Sequence, residues 1–331
     1  MKVLVTGADG FIGSHLTEAL IHEGHEVRAL SQYNSINSHG WIDTLPNEVL
    51  EEVDIVPGDV RDRSQMMSII RGRDAVLHLA ALIAIPYSYQ APQSYLDTNV
   101  TGTLNVLEGI RLDGNARLIH TSTSEVYGSA LFVPMTEDHP LQGQSPYSAS
   151  KIAADQLVYA YYSSFDLPVT TIRPFNTYGP RQSQRAVIPA IISQLISGNK
   201  TIELGALTPT RDFNFVDDTV LGYIKALSAE NISGTTINLG SGFEISIGET
   251  VKLIAKIMNQ DVEVVSSDAR MRPKNSEVDR LLAANERAKD LLDWTPKFGG
   301  LSGFQRGLET TISWFSNEEN MKRYAPLKYI V

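Results

Sequence analysis

The feature that most narrows what this chain can fold into is a set of three glycines close to its start. Residues 6–13 read TGADGFIG, which puts Gly7, Gly10 and Gly13 between an apolar stretch, Lys2–Thr6, and a helical pattern that begins at Phe11. Each glycine has a physical reason. Gly7 permits a tight turn, Gly10 lets a pyrophosphate approach the backbone, and Gly13 lets the helix pack close against the strand. The free N–H groups at the helix N-terminus then face negative phosphate charge. The spacing is GxxGxxG rather than GxGxxG, and glycines alone also serve plain turn geometry. What turns the run into a dinucleotide-binding signal is its place directly after a strand and before a helix.

The residues that follow alternate strand and helix patterns, the mark of an α/β fold with a doubly wound parallel sheet. Strands are predicted at Lys2–Thr6, Glu26–Ser31, Val53–Val56, Ala75–Leu79, Arg117–Ser122 and Val169–Arg173. Ala75–Leu79 is a short apolar run, as expected for a strand covered on both faces. Helices are predicted at Phe11–Glu23, Arg61–Arg71, Pro92–Leu112 and Pro146–Ser163, with Leu96, Val100, Leu104 and Leu107 along one side of the third. Residues 32–50 are polar and irregular and read as a loop. After Pro174 the texture changes, and helices at Val187–Ser197 and Val216–Ala229 are separated by short strands. These patterns divide the chain into a dinucleotide-binding domain over 1–174 and a smaller α/β lobe over 175–331. A segment near 212–240 is expected to return to the first domain, with Thr236–Leu239 joining the main sheet. From about Ser316 the chain reads as a polar and aromatic tail.

Composition removes several function classes. The chain has 331 residues and no cysteine, which excludes disulfides, thiolate zinc sites and a cysteine nucleophile. Its 7 histidines show no metal-ligand spacing. A formal net charge of −10 disfavours nucleic acid, which needs clustered cations, but permits a small anionic ligand. No apolar stretch approaches the ~20 residues needed to span a bilayer, and Val3–Val5 is too short for a signal-peptide core. The expected location is the cytoplasm, with no membrane partner.

Two positions bear on the adenosine end of a cofactor. Asp59, in GDV after the third strand, is placed to accept from an adenine amino group; equally, it is a carboxylate suited to cap the next helix. The second strand ends in Ser31, where an acid often binds the ribose hydroxyls of NAD, and Arg28 is close by. NAD is the cofactor expected, with NADP left open.

Residues 145–151 read SPYSASK. Tyr147 and Lys151 share one face of a helix that Ser145 caps and Pro146 opens. An ammonium beside a phenol favours phenolate, and the phenol is then a base towards an alcohol. The same pairing is also common on surfaces. What singles it out is TSTSEVYG (121–128) at the C-terminal end of a strand, where ligands bind in open parallel sheets. That stretch supplies hydroxyls at Ser122, Thr123 and Ser124 and an acid at Glu125, although Ser and Thr also favour strand ends and turns.

Taken together, TGADGFIG, HLAAL (78–82), TSTSEVYG, YSASK and RPFNTYGPRQ (173–182) resemble the extended short-chain dehydrogenase/reductase superfamily. The resemblance continues through RDFNFVDDT (211–219), NLGSG (238–242) and RPKNSEVDRL (272–281), so it covers nearly the whole chain. It implies a Rossmann-like sheet with a smaller substrate-binding lobe. Within the superfamily the chain is most similar to nucleotide-sugar 4,6-dehydratases. The stretch HLAALIAIPYSYQAPQSYLDTNVTGTLNVLE resembles a branch that acts on GDP- or UDP-linked N-acetylglucosamine and feeds legionaminic acid synthesis. Such a lyase oxidises C4, removes the C5 proton, expels the C6 hydroxyl and returns hydride to C6. Many dehydratases carry Thr-Asp-Glu at the strand end. This chain has Thr123-Ser124-Glu125, similar to GDP-mannose 4,6-dehydratases, so one carboxylate would serve as base at C5 and acid at C6. C4 epimerases have a small apolar residue in place of that acid. UDP-glucuronate decarboxylases share Ser-Glu but carry Gly-Lys-Arg after the tyrosine, where this chain has Ser148-Ala149-Ser150-Lys151. A cofactor-sensing protein without catalysis would be free to lose Tyr147 or Lys151, and both are present.

The resemblance also implies roles. Thr123, Ser124, Glu125, Tyr147 and Lys151 would be catalytic: Thr123 orienting the C4 hydroxyl, Tyr147 taking its proton, and Lys151 lowering the Tyr147 pKa and holding the nicotinamide ribose. Gly7, Asp9, Gly10, Phe11, Ile12, Gly13, Ser31, Asp59, Val60, Leu79, Ala80, Ala81 and Asn99 would complete the cofactor site, Asn99 by fixing the active-site helix and a water. Asn176, Arg185, Arg211 and Arg272 would take the nucleotide and its diphosphate, for which a guanidinium fork is well shaped. Glu277 would accept from the nucleotide ribose. The implied partner is a nucleotide-diphosphate sugar, and the implied assembly is a homodimer paired through the helices that carry Asn99 and Tyr147.

Overall fold

A computed structural model describes residues 1–114, 116–267 and 270–324. Seven strands form the main sheet: β1 (Lys2–Thr6), β2 (Glu26–Gln32), β3 (Asp54–Gly58), β4 (Ala75–His78), β5 (Arg117–Thr121), β6 (Val169–Pro174) and, much later in the chain, Thr236–Leu239. All neighbours pair in parallel, in the spatial order 3-2-1-4-5-6 with Thr236–Leu239 beyond β6. The chain order reverses between β1 and β4, so a crevice opens at the carboxyl ends of those strands. Residues Val3–Val5 and Ala75–Leu77 are fully buried, as covering by helices on both faces demands.

The C-terminal part adds β7 (Asn176–Tyr178), β8 (Thr201–Leu204) and β9 (Thr210–Phe215) before the seventh main strand, now β10 (Thr236–Leu239), and then β11 (Glu244–Ser246) and β12 (Glu263–Ser266). β9 sits between β7 and β11 in a small sheet, and β8 pairs with β12. After β9 the chain runs through the helix Val216–Ser228 to β10, which lies in the main sheet beside β6. Tyr178, Phe213, Phe215 and Phe304 of the C-terminal part pack edge-to-face or stacked on one another.

Two expectations are corrected. Residues 32–50 are not all loop: a 3-10 turn covers Gly40–Thr44 and a helix covers Asn47–Glu52. The polar sequence hides three apolar anchors, Ile42, Leu45 and Val49, which are buried in the main core. Trp41 lies against Trp314 and Tyr324, so the aromatic tail has a packing role. The long helix over 92–112 is also broken. Helices cover Ile85–Gln90 and Pro92–Tyr95, a π-helical turn covers Leu96–Thr101, and a regular helix covers Gly102–Asp113. The π turn shifts the register, leaving Leu96 exposed and turning polar Asn99 fully inward.

Candidate active site

The glycine turn is built by close contact. Gly7 has φ +67°, and a Cβ there would lie 2.8 Å from the Ala80 nitrogen. A Cβ on Gly13 would lie 2.1 Å from the Gly7 carbonyl oxygen. Gly10 differs: it is exposed and meets nothing nearer than that same oxygen at 3.3 Å. It stands at the N-cap of the helix Phe11–His22, which no side chain caps, so its first N–H groups are left for an anion. These residues fit a dinucleotide pyrophosphate.

The other expected cofactor residues surround that opening. Leu79 and Ala80 donate from their backbone N–H groups to Thr6 Oγ1 at 3.2 and 3.1 Å, with Ala81 half-buried beyond them. Phe11 and Ile12 pack against the core from the first helix turn. Asp9 accepts from the Gln32 N–H at 3.1 Å, bridging the glycine turn to the end of β2. Ser31 is fully buried with His39 Nδ1 3.4 Å from its hydroxyl, and Arg28 is turned to Asp54 at 2.6 Å. Asp59 grips Arg61, which holds its carboxyl below the usual range; the helix cap is Asp62, accepting from the Gln65 N–H at 3.0 Å. Val60 is buried against Gly102. Asn99 lies behind this surface. Its amide accepts from the Leu82 N–H at 2.8 Å and donates to Leu82 O at 3.0 Å and Ser150 Oγ at 2.9 Å. It thereby ties the β4 loop to the helix Pro146–Phe165, and its side chain positions the site from within the core.

That helix opens on a reciprocal cap: Ser145 Oγ accepts from the Ser148 N–H at 3.1 Å, and Ser148 Oγ from the Ser145 N–H at 2.9 Å. Tyr147 lies in an apolar cluster with Leu82, Ile85, Tyr89 and Tyr95, and its hydroxyl hydrogen-bonds Thr123. Burial raises its pKa well above the usual phenol value, with Glu125 adding to the rise and the Thr123 contact opposing it. Lys151 donates to the Thr121 carbonyl at 2.7 Å rather than to the phenol, and burial lowers its own pKa to about 8. The expectation that Lys151 lowers the Tyr147 pKa is therefore corrected for the protein alone. Desolvation outweighs the ammonium, because Lys151 is directed to the end of β5.

Thr123 caps the 3-10 turn Ser124–Tyr127 and accepts from the Glu125 N–H at 3.2 Å. Glu125 is 8% exposed and Ser124 2%. A carboxylate so enclosed needs nearby positive charge, and Arg272 Nη1 lies 4.0 Å from it. Arg211 donates to Glu277 at 3.0 Å, and Arg272 lies 3.7 Å from the same carboxylate oxygen. Glu125, Arg211, Arg272 and Glu277 thus form one charged cluster, brought together from three separate segments. The Glu277 oxygen nearest the cluster already meets two guanidiniums. Arg272 Nη1 and Asn176 Oδ1 are buried without a hydrogen-bond partner, so both have capacity for a polar ligand. Arg185 is exposed, and its charge acts on Tyr95, whose ring lies 6.2 Å from Tyr147. Sequence reasoning missed Tyr95, Tyr223, which donates to Thr121 Oγ1 at 2.9 Å, and Asp155. Asp155 alone carried a signal, one helical turn beyond Lys151.

The model of the GDP-mannose 4,6 dehydratase family matches residues 4–307. The chain belongs to that family. A UDP-glucose 4-epimerase of Mycolicibacterium smegmatis is 32% identical over 96% of this chain and 99% of its own. A dTDP-glucose 4,6-dehydratase of Mycobacterium tuberculosis is 31% identical over 99% and 96%. A UDP-N-acetyl-alpha-D-glucosaminuronate decarboxylase of Bacillus cytotoxicus is 30% identical over 96% and 99%. Among solved structures, a double mutant of a Streptomyces venezuelae dTDP-glucose 4,6-dehydratase with NAD bound superposes with a TM-score of 0.87. It is 28% identical, over 97% of this chain and 98% of that one. As a member of the dehydratase family, the chain has relatives that act by dehydration, epimerisation and decarboxylation, and family alone does not choose among them. Among the described residues no cluster of three or more His, Asp or Glu side chains is placed to hold a metal ion. No helix among them is long and apolar enough to cross a membrane.

Proposed function

We propose that this protein is an NAD-dependent nucleotide-sugar 4,6-dehydratase. The observation that carries the reading is Glu125, a buried carboxylate on the turn that Thr123 caps, acting on the Tyr147 phenol from the same enclosed site. A C4 epimerase needs the Tyr–Lys pair but has no use for this acid. A dehydratase needs it to take the C5 proton and deliver one to the departing C6 hydroxyl.

NAD, when bound, would supply the hydride acceptor for C4 and the hydride donor for C6, and the positive charge of its ring would favour phenolate at Tyr147. Gly10 and the uncapped helix N-terminus receive the pyrophosphate, and Asp9, Ser31 and Asp59 line the adenosine end. Thr123 orients the C4 hydroxyl and Tyr147 accepts its proton. Asn176, Arg185, Arg211 and Arg272 hold the nucleotide and diphosphate, with Glu277 keeping two of the guanidiniums in place. Residues 1–174, with the helix Val216–Ser228 and β10, form the cofactor domain, and the rest mainly holds the sugar nucleotide. The substrate is a nucleotide-linked hexose or N-acetylhexosamine, the latter in line with the GDP- or UDP-N-acetylglucosamine branch that the β4-to-helix stretch resembles.

The test is a mass-spectrometric product assay on UDP-, GDP-, CDP- and dTDP-hexoses, including N-acetylated and uronic forms, with no added reduced cofactor. Loss of one water from one of these hexose or N-acetylhexosamine nucleotides is the expected result. Loss of carbon dioxide, or an unchanged mass with altered stereochemistry, overturns the dehydratase assignment.

The same reading includes a homodimer. The adjacent helices Gly102–Asp113 and Pro146–Phe165 leave Leu112, Tyr159 and Phe165 at least half exposed, at 52, 59 and 50%. Apolar surface of this kind is commonly covered by a partner. Light scattering is expected to give the mass of two chains, and the mass of one chain refutes the pairing.

A further inference from the structure

The helix face that carries Tyr147 and Lys151 carries a third buried polar residue at the same spacing, Asp155. Its carboxylate accepts from Ser122 Oγ at 2.8 Å and His120 Nε2 at 3.2 Å, both at the end of β5. It also accepts from Arg173 Nε at 3.2 Å and Nη2 at 2.9 Å, on β6. The chemistry assigned to Tyr147, Lys151 and Glu125 uses none of these contacts.

Lys151 is fully enclosed, and ionisable groups stand around it, Glu125 on the turn Ser124–Tyr127 among them. His78 stands on β4, His120 on β5 and Arg173 on β6. Tyr147 and Asp155 share its own helix, and Tyr223, on the helix Val216–Ser228, reaches Thr121. Burial lowers both histidines, His120 to about 4, so neither is charged near neutral pH. Burial alone pushes the Asp155 carboxyl up, but His120, Arg173 and Lys151 together bring it down to about 2. Arg173 is ion-paired to Asp155, while Lys151, one helical turn away and anchored on the residue next to Ser122, is a second cation whose charge acts on the same carboxylate. Arginine does not give up its proton. If the anion is removed, Lys151 is the group that yields.

We propose that Asp155 is a positioning residue of the reaction, the buried counter-charge that keeps Lys151 an ammonium and clamps its helix to the ends of β5 and β6. The assignment rests on the roles proposed for Tyr147 and Lys151, and its test is read without substrate, so it fails or stands apart from the product assay. The protein is isotope-labelled at lysine Cε, and the Lys151 resonance is identified by its loss in Lys151→Met. In the native protein this resonance is expected to titrate below the usual lysine value, at about 8, because of burial. In Asp155→Asn the midpoint is expected to fall by about 1–3 pH units, the usual effect of an adjacent opposite charge. The alkaline limit of turnover falls with it. Should that variant not fold, Arg173→Gln reads the same balance from the other side: it removes the competing cation and keeps the Ser122 and His120 contacts, and the midpoint is expected to rise. A Lys151 midpoint that stays at the native value in either folded variant overturns the proposal.

Discussion

Tyr147→Phe is expected to lower turnover by about 10³-fold, within the range for a lost general base, while the protein still binds its cofactor. The ring remains edge-on to Tyr95 within its apolar cluster, so the packing that holds the helix is kept. What disappears is the hydroxyl that hydrogen-bonds Thr123 and receives the C4 proton. Because burial raises the pKa of this phenol, its activation depends on charges assembled around it. Turnover is measured by product mass, and retained cofactor by its release on denaturation. Turnover within about tenfold of the native protein would remove Tyr147 from the role of base.

Glu125→Gln separates the proposed chemistry from its relatives. The amide keeps the size of the carboxylate and its place beside Thr123, but carries no charge and accepts no proton. Oxidation at C4 should proceed, since it uses Tyr147, Thr123 and Lys151. Elimination should then stall, and reduced cofactor should accumulate and be visible in its absorbance. Release of dehydrated product is expected to fall by about 10²–10⁴-fold. Arg211 and Arg272 retain Glu277 as a partner, so the cluster survives the substitution. If the variant releases dehydrated product at the native rate, the carboxylate has no part in elimination, and the claim that separates this chain from the epimerases goes with it.

Features that depend on neighbours along the chain are legible in the amino-acid sequence. The glycine turn follows from steric limits within one strand–turn–helix. The Tyr147–Lys151 pairing follows from helical spacing and the Ser145 cap, and the strand positions follow from apolar runs with both faces covered. The strand Thr236–Leu239 is legible for the same reason, and it lies in the main sheet beside β6.

Where side chains far apart in sequence meet, local pattern carries little information. Residues 32–50 look polar, and only the docking of Ile42, Leu45 and Val49 into the core explains their helical turns. The helix after Pro92 has a continuous apolar face when read by spacing. The need to bury Asn99 between the β4 loop and Ser150 breaks that face with a π turn. The charged cluster of Glu125, Arg211, Arg272 and Glu277 joins positions up to 152 residues apart, from Glu125 to Glu277, and exists only because β5, β9 and the 272–277 segment converge.

Local geometry in the chain is thus enough to specify a parallel sheet with a dinucleotide turn and a tyrosine–lysine pair, because steric and helical rules act over a few residues. Folding is needed to set the charge state of the pair. Burial acts on Tyr147 and Lys151 more strongly than they act on each other, and it is the packing of β4, β5 and β6 around Lys151 that leaves Asp155 as its counter-charge.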